Sequence, residues 1–154
     1  GDAARADQLF ADALTVNPLG VDALTGRGYS KLALKDNSGA SRYFEQALQI
    51  DSRVVSANTP GMVTVDAGLK AMATEKGPPM ILKGAVEGAT TRFMGDEHLA
   101  VIAPEGGEAP RLGDQVVLTP PHCDPTVNLY ESYHVVKGDT LVDIWPVTAR
   151  GRSR

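Results

Sequence analysis

The chain has 154 residues, 42% of them apolar and 22% charged, a composition that fits a globular fold of one domain or two small ones. Its net charge of -4 argues against a general nucleic-acid binder, and no apolar run approaches the roughly 20 residues that a membrane helix needs. A single cysteine forbids an internal disulfide and suits a reducing compartment, so a cytoplasmic setting is expected.

Residues 1–58 read as helix. The acidic, polar start "GDAARADQLF" is not the pattern of a signal peptide. The stretch "ARADQLFADALTVNP" returns as "SGASRYFEQALQIDS": Ala6, Phe10, Ala13, Leu14 and Pro18 recur as Ala40, Phe44, Ala47, Leu48 and Ser52, a shift of 34 at every pair. On that period the segment resembles tetratricopeptide repeats, which implies helical hairpins with a peptide-binding concave face. Between the copies, "VDALTGRGYSKLALK" supplies the other helix, with Gly28 where the family keeps a small residue. Lys31 stands at the family's usual aromatic position and Leu24 at its usual tryptophan. Asn17-Pro18 and Asp36-Asn37-Ser38-Gly39 are the breaks between helices. Such arrays usually need about three repeats to bury a continuous core, and this segment holds fewer. It is therefore expected to lean on the second half of the chain or to derive from a longer array.

Near Asn58-Thr59-Pro60-Gly61 the pattern changes to glycines, prolines and β-branched residues in short alternating runs. Strands are predicted over 62–68, 89–95, 97–103, 114–120, 133–139 and 140–147. Gly106-Gly107 reads as a loop and Lys137-Gly138-Asp139 as a hairpin turn. Several short strands with no long helix among them indicate a small antiparallel β-barrel or sandwich. The fold class is thus α+β: an N-terminal α-helical hairpin over residues 1–58, then a β-domain over 59–154. The closing "ARGRSR" reads as a solvated basic tail.

Within the β half, "PPHCDPTVNLY" combines the only cysteine, a histidine and a carboxylate. In an extended backbone successive side chains alternate between faces, so His122 and Asp124 would share one face and Cys123 the other. Two metal-capable groups would then converge from one strand end, the thiol being a bystander. The competing reading is a proline-bounded turn in which Asp124 bonds nearby amides. Trp145 and His134 sit in alternating strands, Trp145 as core and His134 facing outward. Asp66 in "VDAG" is expected to bond a turn at a glycine needing unusual backbone angles.

The motifs "VDAGLKAM", "GDEH", "LGDQVVLTPPHCDPTVNLY" and "VDIWPVTARG", in this order and spacing, are similar to the C-terminal β-domain of D-threonine aldolase and D-serine dehydratase-like enzymes. The resemblance covers roughly residues 60–154. It implies an enzyme whose N-terminal α/β barrel binds pyridoxal phosphate while the β-domain carries a divalent cation on an H-x-D or H-x-C motif. Here that motif is His122-Cys123-Asp124, which leans toward the aldolase branch. Imidazole and carboxylate with open water positions suit Mn²⁺ or Mg²⁺ better than Zn²⁺. The implied substrate is a D-3-hydroxy amino acid whose 3-hydroxyl meets the cation. Its Cα–Cβ bond breaks with electron flow into the pyridine ring, giving glycine and an aldehyde. Glu97 and His98 of "GDEH" and Tyr130 are further candidates for the substrate side.

The same resemblance calls for a Schiff-base lysine on the barrel. Lys31, Lys35, Lys70, Lys76, Lys83 and Lys137 all lie outside that context, and repeat-like helices stand where the barrel would be. Pyridoxal phosphate would enter only through a barrel that these residues do not form, so catalysis by this polypeptide alone is not expected. The β-domain would also miss a strand that the full enzymes supply, leaving an unpaired edge. The alternative is a non-catalytic interaction module, with a protein partner bound by the helical repeats. A fusion without a joint role is the third reading, motivated by the abrupt change near residue 59.

Overall fold

The computed structural model describes residues 2–16, 21–138 and 140–151. Asn17, Pro18, Asp139 and the tail residues Arg152, Ser153 and Arg154 fall outside them, as do the side chains of Phe44 and Ala47. The chain divides into two compact units, Gly1–Gln49 and Ile50–Arg154.

The first unit is three helices, α1 (Ala3–Val16), α2 (Val21–Ala33) and α3 (Asn37–Ala47), packed in sequence order, α1 on α2 and α2 on α3. Asp2 starts α1: its carboxylate accepts the Arg5 amide at 3.0 Å, satisfying one of the amides that a helix start leaves without an internal partner. Gly26 of α2 lies against the Phe10 ring of α1, where any Cβ would collide. Leu24 and Ala40 are buried, as is Gly28. The exposed turn between α2 and α3 is closed by Asp36, whose carboxylate accepts the Gly39 amide at 2.9 Å; that bond holds the Asp36 carboxyl below its ordinary value. Asn37, Ser38 and Gly39 therefore form the first turn of α3 rather than a break. Around Asp7, Arg27 at 3.1 Å and Lys31 at 3.4 Å make an ion-pair cluster, and Arg27 also lies 4.7 Å above the Tyr43 ring.

The second unit begins at Ile50, not near residue 59. Ile50–Thr59 is a ten-residue strand, β1, which corrects the helix expected over residues 50–58. Its first residues alternate buried and exposed, with Ile50, Ser52 and Val54 inward; that period of two is incompatible with a helical face. The remaining strands are β2 (Met62–Val65), β3 (Met80–Lys83), β4 (Thr90–Phe93), β5 (Leu99–Ile102), β6 (Gln115–Thr119), β7 (Ser132–Lys137) and β8 (Thr140–Pro146). β3 lies outside the strands that the sequence pattern predicts.

Six strands form one antiparallel sheet in the order β3-β6-β1-β2-β5-β4. The long β1 changes partner along its length. Ile50 to Arg53 pair with β6, and from Val54 to Thr59 the strand pairs with β2, with irregularities on both sides of Ser56 that bend it. This bend brings the two end strands toward each other, and the Thr91 hydroxyl donates to the Pro79 carbonyl at 2.6 Å, leaving a nearly closed barrel. Its interior holds Ile50, Val54, Val63, Val65, Ala67, Met72, Leu99, Val101, Val116 and Leu118.

Strands β7 and β8 form a separate two-stranded ribbon. Trp145 is 55% exposed on it, so it is not core; its indole N–H donates to Asp143 at 2.8 Å. His134 is exposed on β7, opposite Ile144.

Candidate functional site

The His122 region is not a straight segment. His122 alone is extended (φ -145°, ψ 118°) and is the N-cap of a short helix, α4 (Cys123–Val127). His122 and Asp124 are therefore N-cap and second helical residue, and the expectation that alternation along a strand puts them on one face does not hold. The sequence contains the reason. Proline lacks an amide hydrogen that a first helical turn could not use anyway, so Pro125 is tolerated there, and Asp124 sits where a helix start favours negative charge. The bias of a residue before proline toward extended backbone points the other way at Asp124, and the helical turn prevails.

Helix α4 is fixed by Thr126, which is 1% exposed. Its hydroxyl donates to the His122 carbonyl and accepts the Ala73 amide at 3.0 Å. Four residues on, the Tyr130 hydroxyl donates to the Ala71 carbonyl at 2.7 Å, and burial raises the Tyr130 phenol above its ordinary value. The third tie is between side chains: His122 Nδ1 bonds Glu75 Oε1. Residues 71–75 and 122–130 are thus held together at three points. The His122 bond keeps the Glu75 carboxyl below its ordinary value. Glu75, 47 positions from His122, carried no signal in spacing or motif.

The other candidates fall elsewhere in the same unit. Glu97 pairs with Lys70 at 2.6 Å, and Asp96 lies 3.9 Å from the same ammonium; the Glu97 bond and the two charges raise the lysine. The backbones are joined too, Lys70 N–H to Asp96 and Leu69 N–H to Gly95. At Gly68 a Cβ would strike the backbone of Gly95, Asp96 and His98. Gly68 is thus required by close approach, not by the unusual angles expected for it. Asp66 accepts the Arg53 amide at 2.8 Å, tying β1 rather than a turn. His98 is exposed and lines a shallow cleft with Val55, Ser56, Thr64 and Met94. Tyr130 is committed to Ala71, and no bond joins Glu97, His98 or Tyr130 to His122 or Asp124 among the described residues. The "WPVTARG" motif is anchored beside α4: Val147 N–H donates to Glu131, Arg150 pairs with Glu131 at 2.9 Å, and Gly151 N–H reaches Asn128 at 2.9 Å.

Among the described residues no three His, Cys, Asp or Glu side chains form a metal cage. His122 and Asp124 remain as two separate candidate donors, the N-cap and second residue of α4. The His122 side chain is 25% exposed with Nδ1 engaged, and Nε2 has no protein partner among the described residues; the exposed Asp124 carboxylate has none either. An imidazole nitrogen and a carboxylate open to water are donor types that hard divalent cations accept.

A family model described as "Putative serine dehydratase domain" matches residues 47–136, which take in the end of α3, the six-stranded barrel, α4 and most of β7. D-threonine aldolase of Arthrobacter sp. is 35% identical over 175 aligned residues, covering 99% of this chain and 46% of that protein. The 3-hydroxy-D-aspartate aldolase of Paracoccus denitrificans is 35% identical over 109 residues, 71% of this chain and 27% of its own length. Among solved structures, the D-threonine aldolase of Filomicrobium marinum superposes with a TM-score of 0.63 at 33% identity, covering 69% of this chain and 29% of that one. The chain thus spans less than half the length of these relatives.

Proposed function

Since the chain belongs to the serine dehydratase-domain family, we propose that its β unit is the metal-bearing domain of a pyridoxal-phosphate-dependent D-3-hydroxy amino acid lyase of the D-threonine aldolase type. The observation that carries the reading is the pair of unpartnered donors, His122 Nε2 and Asp124, at the start of α4 on a segment tied in place by Thr126 and Tyr130. His122 and Asp124 would hold the cation, Mn²⁺ or Mg²⁺ in preference to Zn²⁺. Both aldolase relatives are named for substrates with a hydroxyl at C3 of a D-amino acid, the group a hard cation would bind and make more acidic. In this reading His122 and Asp124 orient that hydroxyl, while Glu97 and His98 are assigned to the substrate side. Tyr130, whose hydroxyl is bonded to Ala71, contributes by holding residues 71–75 rather than by touching substrate.

Among the described residues every strand pairing is antiparallel, so they contain no parallel α/β barrel to supply a Schiff-base lysine. We therefore expect no aldehyde release from D-threonine by this polypeptide with added pyridoxal phosphate and Mn²⁺. Mn²⁺ titration of the chain, followed by electron paramagnetic resonance, tests the metal reading. Stoichiometric binding abolished by His122→Ala and weakened by Asp124→Asn is expected; wild-type protein that binds no Mn²⁺ overturns it.

The second reading takes the three helices as tetratricopeptide-like and the chain as an interaction module. It is supported by the buried Gly28 and by helices over residues 4–16 and 38–47, the leading parts of the two copies of the 34-residue pattern. The relative that matches 99% of the chain includes the helical unit in its alignment, which favours the lyase reading.

A further inference from the structure

The metal reading accounts for His122 and Asp124 but leaves Glu75 without a role. Glu75 is not a chance surface neighbour. Its segment is bound to α4 by Ala73 N–H to Thr126 and by Tyr130 to the Ala71 carbonyl, and those ties bring its carboxylate to Nδ1 of a ring whose own backbone is held by Thr126. A neutral imidazole carries one proton, and whichever nitrogen holds it cannot bind a cation. In water the proton prefers Nε2, which would block the outward nitrogen.

Resting on that metal reading, we propose that Glu75 is the positioning residue of His122. It accepts the Nδ1 proton and fixes the ring in the tautomer whose Nε2 lone pair is free for a divalent cation. The carboxylate also makes the ring a stronger donor, and as an anion next to the first ligand it adds to the attraction for the metal. Carboxylate–imidazole–metal relays work in this way, and losing the outer carboxylate typically weakens metal affinity roughly 10–100-fold. Glu75 acts through His122 and does not itself touch the cation.

The tautomer can be read without any metal, by long-range ¹⁵N–¹H correlation on the uniformly labelled chain at about pH 8.5, above the ordinary imidazole range. Wild-type protein is expected to carry the His122 proton on Nδ1. Glu75→Ala should move it to Nε2, whereas Glu75→Gln, which keeps an accepting oxygen, should leave it mostly on Nδ1. In Mn²⁺ titrations Glu75→Ala should raise the Kd roughly 10–100-fold, with Glu75→Gln between it and wild type. Amide spectra of the barrel core should be unchanged in both variants, since the Glu75 side chain is 52% exposed. A wild-type proton on Nε2, or Mn²⁺ affinity indifferent to Glu75→Ala, overturns the proposal. Failure of wild-type protein to bind Mn²⁺ overturns instead the metal reading beneath it, and the metal-free tautomer still decides whether Glu75 sets the ring.

Discussion

Replacing Thr126 with valine removes one hydroxyl and little volume, and the structure makes that atom a junction. It serves the His122 carbonyl and the Ala73 amide at once, in a side chain that is almost fully buried. Two hydrogen bonds lost at about 1 kcal/mol each, with a partly buried amide left unsatisfied, are offset by about 0.8 kcal/mol for the extra apolar carbon. The net loss is about 2 kcal/mol. Thr126→Ser keeps the hydroxyl and forfeits only a methyl, about 0.8 kcal/mol. The smaller residue should therefore be the better tolerated one. Hydrogen exchange at the Ala73 amide reads this locally: 2 kcal/mol corresponds to about 30-fold faster exchange in Thr126→Val, against a few-fold in Thr126→Ser. Valine behaving like wild type, or serine exchanging faster than valine, would refute the assignment of Thr126 as the link between residues 71–75 and α4.

Two further outcomes follow from burial. Tyr130 and Tyr133 are both raised by desolvation, Tyr133 further by Cys123, so each should deprotonate above the usual tyrosine value of about 10. A group whose folded value is raised contributes stability that is present below its unfolded value and lost as pH climbs through the folded one. Ultraviolet titration of wild type against Tyr130→Phe and Tyr133→Phe should show the corresponding late phases disappear, and stability should fall above about pH 10. Separately, Leu118→Ala at a fully buried barrel position should cost about 2–5 kcal/mol in urea unfolding, whereas Trp145→Ala on the exposed ribbon should cost below about 1 kcal/mol. Equal losses would contradict the placement of β8 outside the barrel core.

Much of the β unit was legible because strand alternation is a local property. "DQVVLTP" and "EHLAVIA" announce β6 and β5 within a window of seven residues, and turn glycines mark their ends. β1 reads as helix in the sequence because "FEQALQI" continues the helical period up to its edge, and the inward Ser52 breaks the apolar alternation that would mark a strand. Ser52 is acceptable inside because its hydroxyl donates to the Val116 carbonyl at 2.6 Å, 64 positions away. Trp145 shows the converse: alternation says that two faces differ, not that anything covers one of them.

By itself, then, the sequence determined an α+β chain with a helical first part, a short-stranded antiparallel second part, and a motif set peculiar to one family of lyase domains. Each of these is written in neighbouring residues or in ordered short motifs. Tertiary structure alone decided that Gly68 is there for close approach and that Glu75 meets His122. Those facts depend on which distant segments share a hydrogen bond. Pairings such as Ala73 with Thr126 arise only when the barrel closes and brings two loops to the same place.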